Sequence, residues 1–287
     1  MRLFAVVLNW NGGDDTVAAL ASLDGIATIC VDNGSTDGSD TFVEERFPEV
    51  ELIRTGANLG FAGGNNAGIR RALEHGADWV LLINNDATAE PGLAEALEHA
   101  ARARPDAGLL ACQVLHEDGS VQYAGASFNK WLGYSGRVKT AGGDAVRDVA
   151  RADGAAMAVS RAAVERAGLL DAQLFAYVED VEWSLRIRRE GFAVVFVPDA
   201  RVRHKGSAAS GGRRSTTNLY YDTRNTIVVA ERHARLPRGA HALRRGVIVG
   251  AHLAQSLSHP SRLAAARAVL AGWRDARAGR LGQRSSA

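Results

Sequence analysis

Short apolar runs alternate with helix-period segments through the first third of the chain. Residues 3–8 are an apolar run that reads as a strand, and a helical pattern follows over 15–23. The alternation continues with strands over 27–31, 50–54 and 79–83 and helices over 37–47, 66–75 and 92–104. Strands apolar on both faces and joined by helices imply a parallel, doubly wound sheet covered on each side. After a strand over 109–116 the pattern changes. "EDGSVQYAGASFNKWLGYSGR" carries glycine and aromatics without helical period, the habit of loops and short strands lying over a site. Helices then read over 160–167 and 181–190, a strand over 193–197, and a mobile loop in "HKGSAASGGRRSTT". From residue 218 onward the chain is helical, broken by Pro237 and Pro260.

Composition adds little to this until the charges are placed. The 287 residues, 46% of them hydrophobic, suit one large domain or one domain with an appendage. Cys30 and Cys112 lie inside apolar runs and read as buried free thiols in a reducing compartment, and no Cys/His spacing suggests structural zinc. The start "MRLFAVVLNW" is too short in its apolar part for a signal peptide, and no run reaches the roughly 20 apolar residues of a membrane span. The expectation is a cytoplasmic protein that can attach to a surface. Residues 236–287 hold nine arginines against one acid, Asp275, a net +8 on a body of −6. Such a basic helical tail suits a phospholipid surface, at the inner face of the cell membrane, or packing on a second subunit. Aromatic residues do not interleave with the arginines, Trp273 excepted, so nucleic acid is not expected as a partner.

Polar clusters follow the apolar strands, the place where open α/β sheets bind ligands. Asn9 and Asn11 follow the first strand, and Asp32, Asn33 and Ser35 the second, where a carboxylate can accept bonds from a ribose or base. A turn with a helix cap explains the second cluster equally well. Neither G-x-G-x-x-G nor a P-loop follows the first strand. In "NLGFAGGNNAG", Gly63 and Gly64 read as a turn as readily as a phosphate cradle, while Asn58 and Asn65 are better polar candidates. Asn84-Asn85-Asp86 ends the fourth strand, and Asp86 is either a helix cap or a metal ligand. Glu179, Asp180 and Glu182 open a helix among Phe175, Tyr177 and Trp183 and suit either capping or a general base. His204 alone is more often structural than a ligand.

Taken in order, "VVLNWNG", "VDNGSTDGS", "NLGFAGGNNAG", "LLINNDA", "AYVEDVEWSLRIRREGF", "RVRHKGS" and "YYDTRNT" closely resemble the family 2 glycosyltransferases, particularly their rhamnosyltransferase-like branch. The resemblance runs from about residue 3 to about residue 231. It implies the A-type glycosyltransferase fold, a single Rossmann-like, mostly parallel α/β sheet, with C-terminal helices added here. On this reading residues 1–235 are the catalytic domain, 1–116 holding the nucleotide sugar and 117–235 the acceptor, and 236–287 the tail. Asp86 takes the place of the family's D-x-D carboxylate on a divalent cation, Mg or Mn, with His204 as a second ligand. Asp180 matches the catalytic base, with Glu179 beside it. Asn9, Asn11, Asp32, Asn33, Ser35, Asn58, Asn65 and Asn85 fall around the nucleotide. The implied reaction is an inverting transfer from a nucleoside-diphosphate sugar, dTDP-rhamnose before UDP-galactofuranose or UDP-glucose. The acceptor is a hydroxyl on a glycan, a lipid-linked sugar or a natural product. A sugar-phosphate nucleotidylyltransferase and a non-catalytic nucleotide-sugar sensor are the competing readings; the first lacks its basic glycine-rich loop here, and the second has no need of Asp180.

Overall fold

A computed structural model describes residues 1–129, 131–138, 145–206 and 215–284 of the chain. The expected loop falls largely on residues 207–214, outside the described residues. The first half is the expected βα series: β1 (Leu3–Asn9), α1 (Gly13–Ala21), β2 (Ala27–Asp32), α2 (Ser39–Arg46), β3 (Glu51–Arg54), α3 (Gly60–Glu74), β4 (Trp79–Asn84), a short β5 (Ala87–Ala89) and α4 (Leu93–Ala103). β1 pairs in parallel with β2 on one side and β4 on the other, and β2 with β3. Val80, Leu81, Leu82 and Ile83 of β4 are at most 1% exposed. Each such side chain contributes about 1.5–3 kcal/mol through burial, which is why this run is a strand sealed on both faces.

One helix boundary differs widely from the sequence reading. Helix α3 begins at Gly60, not near residue 66, so Gly63 and Gly64 are helical and do not form a turn. A Cβ on Gly64 would collide with Leu8, and one on Gly68 with Val6. The glycines let α3 approach the sheet closely.

The second half continues the same sheet through β6 (Ala107–Leu115), β7 (Val121–Tyr123), a separate hairpin of β8 (Ala126–Asn129) and β9 (Tyr134–Arg137), β10 (Arg147–Asp148) and β11 (Ala156–Ser160). Then come α5 (Arg161–Ala167), α6 (Glu179–Arg189) and β12 (Ala193–His204). The strand order is β10-β12-β6-β11-β4-β1-β2-β3. β11, absent from the sequence reading, lies antiparallel between β4 and β6 and joins the two halves in one sheet. β12 runs on past the expected residue 197 to His204, with an irregularity between Val197 and Arg201, and pairs with β5. The helices α7 (Thr216–His233), α8 (Arg238–Ser256) and α9 (Arg262–Arg277) pack together against this body, separated at the two prolines as expected. Both cysteines are buried, and burial pushes each thiol up to about 12. Among the described residues, no helix is long and apolar enough to cross a membrane.

Candidate active site

The carboxyl ends of β1 and β2 are tied into one rim. Asn9 is fully buried: its Nδ2 donates to Asp32 Oδ1 at 3.1 Å and Ser39 Oγ at 2.8 Å, and its Oδ1 accepts from Thr16 Oγ1 at 2.8 Å. Asn33, 2% exposed, donates to Asn58 Oδ1 and accepts from the Leu59 amide. Asn65, 1% exposed, donates one turn back to Phe61 O within α3. Asn9 and Asn33 are therefore engaged by the protein's own groups at both ends of their side chains, and Asn65 through its nitrogen. Asn11 stands exposed in the left-handed region at φ 53°, its amide on Ser35 Oγ and its Oδ1 on the Thr36 amide. Asp32 is 4% exposed and accepts from Asn9 and the Ser35 amide. Asn58 caps the entry to α3 through the Gly60 amide, and Asn85 reaches Thr16 Oγ1 at 3.2 Å.

Beside this rim, the pairing of β5 with β12 sets Ala87 opposite His204 and so brings Asp86 to the histidine. His204 Nε2 lies 3.1 Å from Asp86 Oδ1, with both side chains about nine-tenths buried. Its other ring nitrogen, Nδ1, lies 3.0 Å from Gln122 Oε1, which accepts its hydrogen. Asp86 and His204 thus set a carboxylate and an imidazole side by side, donor groups that would hold a divalent cation there. Among the described residues, no third His, Cys, Asp or Glu joins them in a ligand cluster. Next to Asp86 opens a cavity of about 220 Å³ lined by Asp15, Thr88, Glu117, Arg203 and Lys205.

The acidic cluster of α6 divides into distinct environments. Asp180 Oδ2 accepts from the Gly154 amide at 3.1 Å and from Arg151 Nη1 at 3.3 Å, and Oδ1 accepts from the Val181 amide at 2.7 Å. Glu179 is 5% exposed, and its Oε2 has no hydrogen-bond partner among the described residues. Burial first, then the charges of Asp180, Asp222 and Asp153, hold its carboxyl well above the usual range. This environment favours the protonated form of Glu179 over its carboxylate. Burial also opposes the charge on Glu182, yet His233 and Arg186 outweigh it and pull its pKa down to about 2. The same edge connects α6 to β4: the Asn84 amide donates to Ala155 O, next to the Gly154 that holds Asp180.

The model of "Glycosyltransferase like family 2" matches residues 16–225. The chain belongs to this family. It is 30% identical, over 284 aligned residues covering 87% of this chain and 92% of the relative, to an N-acetylglucosaminyl-diphospho-decaprenol L-rhamnosyltransferase of Mycobacterium tuberculosis. A solved structure of GalNAc-T7 with UDP, GalNAc and Mn2+ superposes with a TM-score of 0.65 at 17% identity, over 80% of this chain and 48% of that one. S. aureus TarS 1-349 in complex with UDP-GlcNAc gives 0.63 at 14% identity, over 96% and 81%. These likenesses establish the A-type glycosyltransferase fold, and the family makes the chain a glycosyltransferase; the nucleotidylyltransferase and sensor readings fall away.

In this glycosyltransferase the segment before α6 is strained. Phe175, Tyr177 and Val178 have φ of 66°, 67° and 71°, and the Ala176 amide bonds back to Leu174 O in a γ-turn. "YYDTRNT" explains how it is held. Asn225, fully buried, donates to Leu174 O, Ala176 O and Tyr177 O, and Arg224, 1% exposed, reaches Leu174 O and Gly282 O. Non-glycine residues in this region cost about 1–3 kcal/mol each and collect at functional sites. Asn225→Ala should therefore cost about 2 kcal/mol or more of stability, read from urea unfolding, because it leaves buried carbonyls without donors. Sequence reasoning also missed Arg151, Gln122 and Asp222. Only "RADGA", a turn signal before an apolar run, offered a local hint of Arg151.

Proposed function

We propose that this enzyme transfers a sugar from a nucleoside-diphosphate sugar to a hydroxyl with inversion, using a divalent cation, Mg or Mn. The observation that carries the reading is that one sheet edge holds both the Asp86–His204 pair and, through the Asn84–Ala155 contact and Gly154, the carboxylate Asp180. Asp86 and His204 would hold the cation, whose chemistry there is to offset charge on the leaving diphosphate. A carboxylate and an imidazole are donors that would fit such a cation. Asn11, Asp32, Ser35, Asn58 and Asn85 border the nucleotide, while Asn9, Asn33 and Asn65 shape its walls. Asp180 takes the proton of the attacking hydroxyl, and the single displacement inverts the anomeric centre. Glu179, buried beside it, orients the site.

The relative's name favours a rhamnosyl donor, which we take as dTDP-rhamnose ahead of UDP-sugars, and a diphosphate-lipid-linked sugar as acceptor. Residues 1–116 would bind donor and 117–235 acceptor, with 236–287 as the basic tail. We place the protein in the cytoplasm, in keeping with its two buried free thiols. Incubating the chain with dTDP-rhamnose or UDP-sugars, acceptor sugars and Mn²⁺ should release nucleoside diphosphate. Release of pyrophosphate, or binding of every donor without turnover, would overturn the reading. His204→Ala should raise the cation concentration needed for half-maximal activity roughly tenfold or more. A variant matching wild type across the metal titration removes His204 as a ligand.

A further inference from the structure

Helices α8 and α9 turn unusual faces to solvent. On α8, Leu243, Val247 and Leu257 are 71%, 47% and 63% exposed, and they lie on one side of the helix at spacings of four and ten residues. Gly246, Gly250, Ala251 and Ala254 complete that side, and no Lys, Arg, Asp or Glu occurs between Gly246 and Ser258. Where a Cβ would stand on Gly246 or Gly250 there is open space, so the stripe is smooth as well as apolar. The outer face of α9 has another character. Leu263 and Leu270 are 65% and 44% exposed, and Arg267, Arg274 and Arg277 share their side. Arg267 and Arg274 form no ion pair among the described residues, and Arg277 stacks over Trp273. The inward arginines behave differently: Arg244 bonds Ala234 O, and Arg245 pairs with Glu231.

We propose that these faces dock the enzyme on an anionic phospholipid surface, α8 entering the headgroup–acyl boundary and the α9 arginines meeting the phosphates. An interfacial helix combines an apolar face with neighbouring cationic side chains and low overall hydrophobicity, as this pair does. Charge complementarity selects the occupant. The tail's net +8 stands against −6 on the rest of the chain, so the field attracts an anionic surface to this end of the molecule. A second copy of the chain would bring arginine against arginine along α9. The tail also belongs to the catalytic body: Gly282 N donates to Gln173 O, beside the strained turn before α6, and Gly282 O accepts from Arg224. Docking through α8 and α9 therefore fixes the whole domain relative to the surface.

The test is sedimentation of the full chain with vesicles of phosphatidylcholine alone or mixed with phosphatidylglycerol, without nucleotide sugar, so that its outcome is independent of the glycosyl-transfer reading. Binding to the mixed vesicles alone is expected, weakening as salt rises through the screening range. Arg267→Gln with Arg274→Gln should weaken it about fivefold per arginine. Leu243→Glu with Val247→Glu should abolish it while leaving the thermal midpoint and the hydrolysis of free donor unchanged, since both residues are exposed. Equal binding to neutral vesicles, or binding untouched by either double variant, would sink the proposal. So would a concentration-dependent dimer in light scattering that Leu243→Glu breaks, with no vesicle binding.

Discussion

Asp180→Asn should fold and bind donor but turn over roughly 10²–10⁴-fold more slowly, the usual contribution of general base catalysis. An asparagine Oδ1 can still accept from the Val181 amide, so that bond survives. The other oxygen is the harder loss. An amide nitrogen set toward the Gly154 N–H and Arg151 Nη1 puts donor against donor, at a cost of about 1–3 kcal/mol. Rate and unfolding free energy must therefore be measured on the same preparation. Glu179→Gln separates the two acids. The glutamate is buried where its protonated form is favoured, and glutamine matches its shape, so turnover should change less than Asp180→Asn changes it. Turnover retained in Asp180→Asn would remove it as base, and loss confined to Glu179→Gln would move the chemistry to Glu179. Product NMR completes the test, because a retained anomeric configuration contradicts a single displacement.

The βα series through α4 was legible because β1, β2 and β4 are largely buried on both faces and α4 buries one face through Leu93, Leu97 and Ala100, so period and hydrophobicity agree there. β11 was not. Its five residues "AMAVS" show neither alternation nor length, and they form a strand only because β4 and β6 flank them. The start of α3 was hidden by glycines that single-residue propensity assigns to turns, whereas here they are required by close packing on Leu8 and Val6. At the site, residue types were legible and their division of labour was not. Asn9 and Asn11 are two residues apart, yet one is sealed beneath the rim and the other stands on it. Glu179 and Asp180 are adjacent, yet the helical turn sends one carboxyl into the interior and the other to Arg151 and Gly154. Arg224 and Asn225 were visible only as part of a family motif, since their partners lie about fifty residues upstream.

Asp86→Ala should lose nearly all transfer and, with it, the dependence on divalent cation, while the fold stays intact. The fold expectation follows from the surroundings. The backbone of Asp86 remains tied through the Lys205 amide on its carbonyl, and His204 keeps its bond to Gln122 Oε1. The activity expectation follows from charge. A cation on the leaving diphosphate is worth several kcal/mol, and each 1.36 kcal/mol is tenfold in rate, so a fall of roughly 10³-fold or more is expected. Asp86 matters more here than a lone carboxylate in a fuller motif, because Asn84 and Asn85 supply amides where carboxylates could have stood. The competing view is that Asp86 exists to hold His204, as their 3.1 Å contact permits. Asp86→Asn decides between them. An amide can keep a hydrogen bond to the imidazole, so a purely structural role predicts near-normal turnover. A ligand role predicts that asparagine fails almost as badly as alanine, with donor affinity no longer rising on addition of Mn²⁺ in calorimetry. An Asn variant that retains both turnover and the metal response would strip Asp86 of its place on the donor diphosphate.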